Sequence, residues 1–221
     1  MIPNLNRSFS RRIGKTLSKL QKDLIEEDLP KCLLSNFLDQ EGQHIALPDQ
    51  AVIAEIGIGM GDHFITSAAS NPSNLYIGFE PYLNGIANSL KLAKDSSVTN
   101  IVLWPDDVDL IFHKLPDDSL SAIFILFPDP WPKSRHQKRR IVNPERLKIF
   151  AKKLKPGGII NFASDIANYF DYAREVINTS EIFKEEHNST SPYSGYVKTR
   201  YHLKAEEAGR IPQFLRARKE A

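Results

Sequence analysis

Five strand-length apolar segments of this chain run out at or beside a carboxylate, and segments of helical period separate them. Ala51 to Ile56 carries Glu55, Asn74 to Glu80 ends in Glu80, and Ile101 to Trp104 is followed by Asp107. Leu120 to Phe127 is followed by Asp129, and Ile159 to Ala163 by Asp165. Between them, Leu83, Ile86, Ala87, Leu90 and Ala93 recur at helical spacing. So do Leu147, Phe150, Ala151 and Leu154, and then Tyr169, Phe170, Ala173, Val176 and Ile177. This alternation predicts an α/β fold with a parallel sheet and helices on both faces. Ligands of such sheets bind beyond the carboxyl ends of the strands, where the five acids fall.

The fourth segment leads into Phe127-Pro128-Asp129-Pro130-Trp131-Pro132, then Lys133, Arg135, His136, Lys138, Arg139 and Arg140. Proline has no N–H for a sheet ladder and pushes the residue before it out of the helical region, so the strand stops here in a rigid loop. The loop displays a carboxylate and an indole. An acid beside an aromatic suits a nucleobase, which stacks on the ring and donates N–H to the carboxylate. The basic run suits phosphates. Trp131 is a candidate base platform or a core side chain. The net charge of +2 excludes a globally cationic protein, so any nucleic-acid contact must come from such local clusters.

After the first strand comes Gly57-Ile58-Gly59-Met60-Gly61, with Asp62 as the expected N-cap of a helix to about Ser70. Glycines here let the backbone approach a ligand, and an acid about 20 residues on, Glu80, reads as a ribose acceptor. Both features fit dinucleotides and S-adenosylmethionine. Asp62 stands where the dinucleotide fingerprint needs a small residue, and a carboxylate there would repel a pyrophosphate. S-adenosylmethionine has no phosphate; it carries an ammonium, a sulfonium and an adenine amine, which acids suit. On this reading Glu55, Gly57 and Gly59 take the methionine end, Glu80 the ribose and Asp107 the adenine edge.

Residues 1–50 read as a basic helical extension to a main domain over 51–221. Ile13, Leu17, Leu20 and Leu24 share a helical face, with Arg11, Arg12, Lys15, Lys19 and Lys22 elsewhere. The helix either packs on the main body or, with Arg7, Arg11 and Arg12, forms a second RNA-contacting surface. A shorter helical segment is expected around Leu33 to Leu38, and another over Val108 to His113. Asn143 and Pro144 start a helix that Lys155-Pro156-Gly157-Gly158 stops. The tail has strand-like pieces at Ile182 to His187 and Tyr196 to Leu203. Cys32 is the only cysteine, so no intrachain disulfide and no thiolate zinc site is available, and the histidines lack metal-ligand spacing. No apolar stretch reads as a signal region or reaches membrane length, so a cytoplasmic protein without metal is expected.

These pieces together resemble the bacterial tRNA (guanine-N7-)-methyltransferases. The matching residues are Glu55-Ile56-Gly57-x-Gly59-x-Gly61, Gly78-Phe79-Glu80, the block from Phe127 to Arg140, Ser164-Asp165 and Thr199-Arg200-Tyr201. The resemblance implies a class I, Rossmann-like methyltransferase sheet of seven strands, mostly parallel, with the last strand antiparallel. It implies S-adenosylmethionine as cofactor and a guanine of the tRNA variable loop as substrate, with the enzyme a monomer or homodimer. Glu55, Glu80, Asp107 and Asp129 would line the cofactor site. Lys133, Asp165 and Thr199 would meet the substrate, and Arg135, His136, Lys138, Arg139 and Arg140 the RNA. His202 stands where the family has an acid, so Asp129 or Asp165 takes over as carboxylate acceptor for the base. Guanine N7 bears a lone pair and no proton, so the transfer needs alignment and stabilisation of a cationic ring, with Asp129 as the catalytic group. A methyltransferase for an exocyclic base amine and a non-catalytic RNA-binding protein on the same scaffold remain open. A nicotinamide oxidoreductase is disfavoured by the glycine pattern and the acids.

Overall fold

The computed structural model describes residue 14 and residues 16–220, which divide after Pro116 into two compact units. The first unit contains α1 (Lys19–Glu27), β1 (Val52–Ile56), α2 (Asp62–Ser70), β2 (Leu75–Phe79), α3 (Leu83–Asp95) and β3 (Ile101–Trp104). Its strands are parallel in the order β3-β2-β1, with Val52 opposite Leu75 and Tyr76 opposite Ile101. Every residue of β1 and β2 is buried, Glu55 included.

Helix α1 starts later than its apolar spacing suggests. Ser18 accepts from the Gln21 N–H while the Gln21 side chain accepts from the Ser18 N–H, and this reciprocal cap fixes the first turn. Leu24 is buried, but Leu20 is 55% exposed, so the expected stripe is only partly an inward face. Ile13, Arg7, Arg11, Arg12 and Lys15 lie outside the described residues. Leu29–Cys32, Leu34–Phe37, Val108–Leu110 and Phe112–Lys114 are single 3-10 turns, where Leu33 to Leu38 and Val108 to His113 were expected to be helical.

The second unit contains β4 (Leu120–Leu126), α4 (Pro144–Lys153), β5 (Leu154–Ser164), α5 (Ala167–Asn178), β6 (Phe183–Ser189), α6 (Arg200–Glu207) and β7 (Gln213–Lys219). Its strand order is β4-β5-β7-β6; β4 and β5 are parallel, and β7 is antiparallel to both its neighbours. The described residues thus hold seven strands, of which the last, β7, runs against its own neighbours. Two expectations are corrected. Lys155-Pro156-Gly157-Gly158 does not precede the fifth strand but lies inside it. The pairing jumps from Leu120–Leu154 to Ala122–Ile159, and this irregularity absorbs the extra residues. Tyr196 to Leu203 is not a strand. The Thr199 hydroxyl accepts from the His202 N–H and starts α6, which buries His202 and Ala205 at helical spacing. The final strand is β7, whose Phe214, Leu215 and Ala217 are buried.

One close approach shapes the first unit. A Cβ on Gly85, in the first turn of α3, would stand 2.0 Å from the carbonyl oxygen of Gly59. Backbone cannot yield as a flexible side chain does. Gly85→Ala is therefore expected to destabilise the protein by about 1–3 kcal/mol, as overpacking does. Urea unfolding measures this, and an unchanged midpoint would show that helix and turn separate freely.

Candidate active site

The turn after β1 depends on left-handed backbone. Gly57, Gly59 and Gly61 have φ of 82°, 56° and 82°, which glycine adopts without a Cβ penalty. Gly61, not Asp62, occupies the cap position of α2, and Asp62 is the first helical residue, where a carboxylate favours the helix dipole. The turn is pinned from several sides. The Phe79 carbonyl accepts from the Gly57 N–H at 2.8 Å, and Asn88 Nδ2 donates to the Met60 carbonyl at 2.6 Å. Glu80 Oε2 accepts from the Gly59 N–H at 2.7 Å, and its Oε1 accepts from the Tyr82 N–H at 2.9 Å.

Glu55 is buried, and its Oε2 accepts from His63 Nδ1 at 2.7 Å; neither side chain is more than 4% exposed. Nothing in the sequence singles out His63. Only the glycine turn, by reversing the chain onto α2, brings it back over Glu55. Asp107 is also buried. Its Oδ1 accepts from the Asp109 N–H at 3.0 Å and caps the following turn, and its carbonyl accepts from Trp104 Nε1 at 2.8 Å. Asp106, passed over in the sequence, is the more exposed of the two acids, and its Oδ1 accepts from the Asp107 N–H. The donor is the backbone N–H of residue 109, which any residue but proline would supply, so only the residue type of Asp107 itself hints at the cap.

In the second unit the proline loop is strained at both ends. Phe127 has φ of 52° and Trp131 of 41°, a region bulky residues seldom enter. Between them Asp129 is exposed and makes no hydrogen bond or ion pair among the described residues. Lys133 and Lys138 are exposed as well, and Arg135 Nε donates to His136 Nε2 at 3.3 Å. His136 titrates below the ordinary imidazole range. Its desolvation comes first, then the Arg139, Arg135 and Lys133 cations. It is thus neutral near pH 7, in keeping with its Nε2 accepting a hydrogen bond. Arg139 lies over the Trp131 ring at 4.9 Å, and the His136 ring meets that indole edge-on at 5.8 Å. Arg140 departs from its expected place among the RNA contacts, because its side chain is only 1% exposed and points into the unit.

The remaining expected substrate residues are engaged within the protein. Asp165 Oδ2 accepts from Arg210 Nε at 2.6 Å, and the Thr199 hydroxyl caps α6. His202 is buried behind the loop. Its ring lies 5.9 Å from Phe127 and 5.6 Å from Phe214, with Nδ1 beside the Tyr196 hydroxyl at 3.1 Å and Nε2 beside Glu206 at 3.2 Å. It packs among aromatic rings and is hydrogen-bonded within the unit. No cluster of three or more metal-ligating side chains occurs among the described residues.

The Glu55–His63 pair has a direct energetic consequence. His63→Leu leaves a buried carboxylate without this donor, at a cost of about 1–3 kcal/mol. Thermal or urea unfolding should show that loss, with His63→Gln, which can still donate, recovering part of it. Equal stability of the Leu variant would mean that Glu55 finds another donor.

A family model described as "Putative methyltransferase" matches residues 49–213. A bifunctional methyltransferase of Rickettsia felis is 49% identical over 96% of this chain, which spans only 40% of that protein. The tRNA (guanine-N(7)-)-methyltransferase of Azorhizobium caulinodans is 37% identical over 94% of this chain and 92% of its own length. Among solved structures, the 16S rRNA methyltransferase KamB has the same fold. It covers 97% of this chain and 99% of its own, with a TM-score of 0.57 at 16% identity. With the glycine turn, the strand-end acids and the proline loop all in place, the chain belongs to the tRNA (guanine-N(7)-)-methyltransferase family.

Proposed function

We propose that this protein transfers the methyl group of S-adenosylmethionine to N7 of a guanine in the variable loop of tRNA. The observation that carries the reading is the carboxylate of Asp129, exposed and without a hydrogen-bond or ion-pair partner among the described residues, on a loop that prolines and strained backbone hold rigid. N7 attacks the sulfonium methyl directly, the methyl–sulfur bond breaks as the nitrogen–methyl bond forms, and S-adenosylhomocysteine leaves. No base is needed at N7. The protein aligns the two reactants and stabilises the positive charge that develops on the ring.

Asp129 suits that task better than Asp165. Arg210 already neutralises Asp165 at 2.6 Å, so its field on a cationic ring is weaker. Asp129 accepts from the guanine N1–H and N2–H edge, which turns N7 the other way and disfavours adenine. Asp165 keeps one oxygen for a second hydrogen bond to the base. The Thr199 hydroxyl, whose oxygen accepts from the His202 N–H, keeps its proton to donate to the substrate.

Residues 51–221 carry this reaction, with residues 1–50 as an extension to it. Cofactor binding falls to the first unit. Glu55, Gly57 and Gly59 receive the methionine end. Glu80 receives the ribose hydroxyls at its carboxylate, which can accept several hydrogen bonds. The adenine amine goes to the Asp106–Asp107 pair. Lys133, Arg135 and Lys138 reach phosphates. His136, being neutral, contributes hydrogen bonds and no charge, and Arg139 presents its guanidinium from the face of Trp131.

Two measurements test this. Replacing Arg135 and Lys138 together by Ala should weaken tRNA binding and flatten its dependence on log salt by about 0.7–0.9 for each phosphate that the variant no longer neutralises. Affinity for S-adenosylmethionine should stay unchanged. An unaltered slope would make the run a solvated face. The second uses tRNA with 7-deazaguanine at the target, which has a carbon in place of the nucleophilic nitrogen and an intact N1/N2 edge. It should bind with modest loss and accept no methyl. Transfer to it would move the reaction to an exocyclic amine.

A further inference from the structure

We propose that Arg140 is a positioning residue for the Asp129 loop, clamping it through the Pro130 carbonyl, and that it takes no part in phosphate binding. The inference rests on the assignment of Asp129 to the base. Pro128, Pro130 and Pro132 have no N–H, so this loop can form few hydrogen bonds of its own. It also holds Phe127 and Trp131 in left-handed backbone, and such strain persists only where the surroundings over-determine it. Something outside the loop must hold it.

Arg140 Nε donates to the Pro130 carbonyl at 3.0 Å, midway between Asp129 and Trp131. The guanidinium is fixed in turn from helix α5. It lies over the Tyr169 ring at 4.7 Å and the Tyr172 ring at 4.9 Å, and its Nη2 donates to Asn168 Oδ1 at 2.9 Å. Tyr169 is itself pinned, its hydroxyl accepting from the Val142 N–H at 3.3 Å. The Arg140 carbonyl accepts from Asn143 Nδ2 at 2.9 Å and from Arg146 Nη1 at 3.0 Å, which ties the same residue to the start of α4.

The charge is balanced unusually. Among the described residues no carboxylate pairs with Arg140, and its Nη1 is buried without a hydrogen-bond partner. The cation is held by two ring faces and two hydrogen bonds. Burying a cation on those terms is costly when only packing is gained. The planar fork explains its retention, since it can stack between rings while its edge nitrogens reach Pro130 and Asn168. A lysine ammonium has neither property.

The test compares Arg140→Lys, which keeps the charge but loses the fork, with Arg140→Gln, which loses both. Steady-state kinetics on a tRNA transcript should show kcat falling roughly tenfold to hundredfold in both, the effect of a displaced catalytic group. KM for tRNA and the slope of its affinity against log salt should stay near wild type. Wild-type kcat in the Lys variant, or a flatter slope in the Gln variant, would overturn the clamp and return Arg140 to the phosphates. Should either variant fail to fold, Asn168→Ala and Tyr172→Leu weaken the same clamp from the surface of α5. They should lower kcat by a smaller factor with the slope unchanged, and full kcat in both would overturn the proposal.

A second readout does not depend on turnover. Trp131 is one of only two tryptophans, so fluorotryptophan NMR resolves the loop directly. Its line should shift or split in Arg140→Lys, and an unmoved line would refute the clamp. Absence of methyl transfer by the wild-type protein would refute the proposed reaction instead and leave this signal as the judge of the clamp.

Discussion

The carboxylate of Glu80 joins three pieces of backbone that would otherwise be independent. It stands at the end of β2, accepts from Gly59 in the turn after β1, and accepts from Tyr82 at the entry to α3. A carboxylate with two N–H donors is fixed in rotation, and each of these bonds is charge-assisted and stronger than a neutral one. The turn can then lie against α3 so closely that Gly85 admits no side chain. Glycines with positive φ, the helix without a Cβ and the acid at the strand end are one solution to one problem. That problem is to fold the turn after β1 back tightly against the start of α3.

Much of this was legible beforehand, for reasons that can be named. Strands β1 to β4 are short apolar runs stopped by glycine, proline or acid, and a buried parallel strand leaves little else that such a run can be. The tail was not legible. Strand β7 contains Arg216 and Arg218 and reads as a polar end. Yet Arg216 donates to Asn161 at 2.9 Å and lies over Tyr193 at 4.4 Å, so its charge is absorbed beside neighbouring strands. Tyr196 to Leu203 is rich in aromatic and β-branched residues, which favours a strand, but the capping hydroxyl of Thr199 decides for helix.

At the site, the presence of acids could be read but not their division of labour. Composition cannot tell that Asp107 turns inward to cap while Asp106 is more exposed, nor that α2 brings His63 back onto Glu55. It also cannot tell one arginine from the next. Within the run from Lys133 to Arg140 the cations have at least three fates: exposed to solvent, laid on an indole, or buried between tyrosines. The charge available to a polyanion is accordingly smaller than the number of basic residues implies.

The place of β7 bears on how the second unit comes together. It is the last strand in sequence but lies between β5 and β6 in the sheet. Until residues 213–219 exist, β6 has no strand to pair with, and the edge of β5 that β7 will occupy is open. Pairings between segments far apart in sequence are slow to form, because loop closure must come before the interactions that reward it. A chain emerging from the ribosome therefore holds two unpaired edges while α6 is being made. Those edges are the part of the nascent molecule most exposed to wrong partners, and a chaperone would have most to protect there.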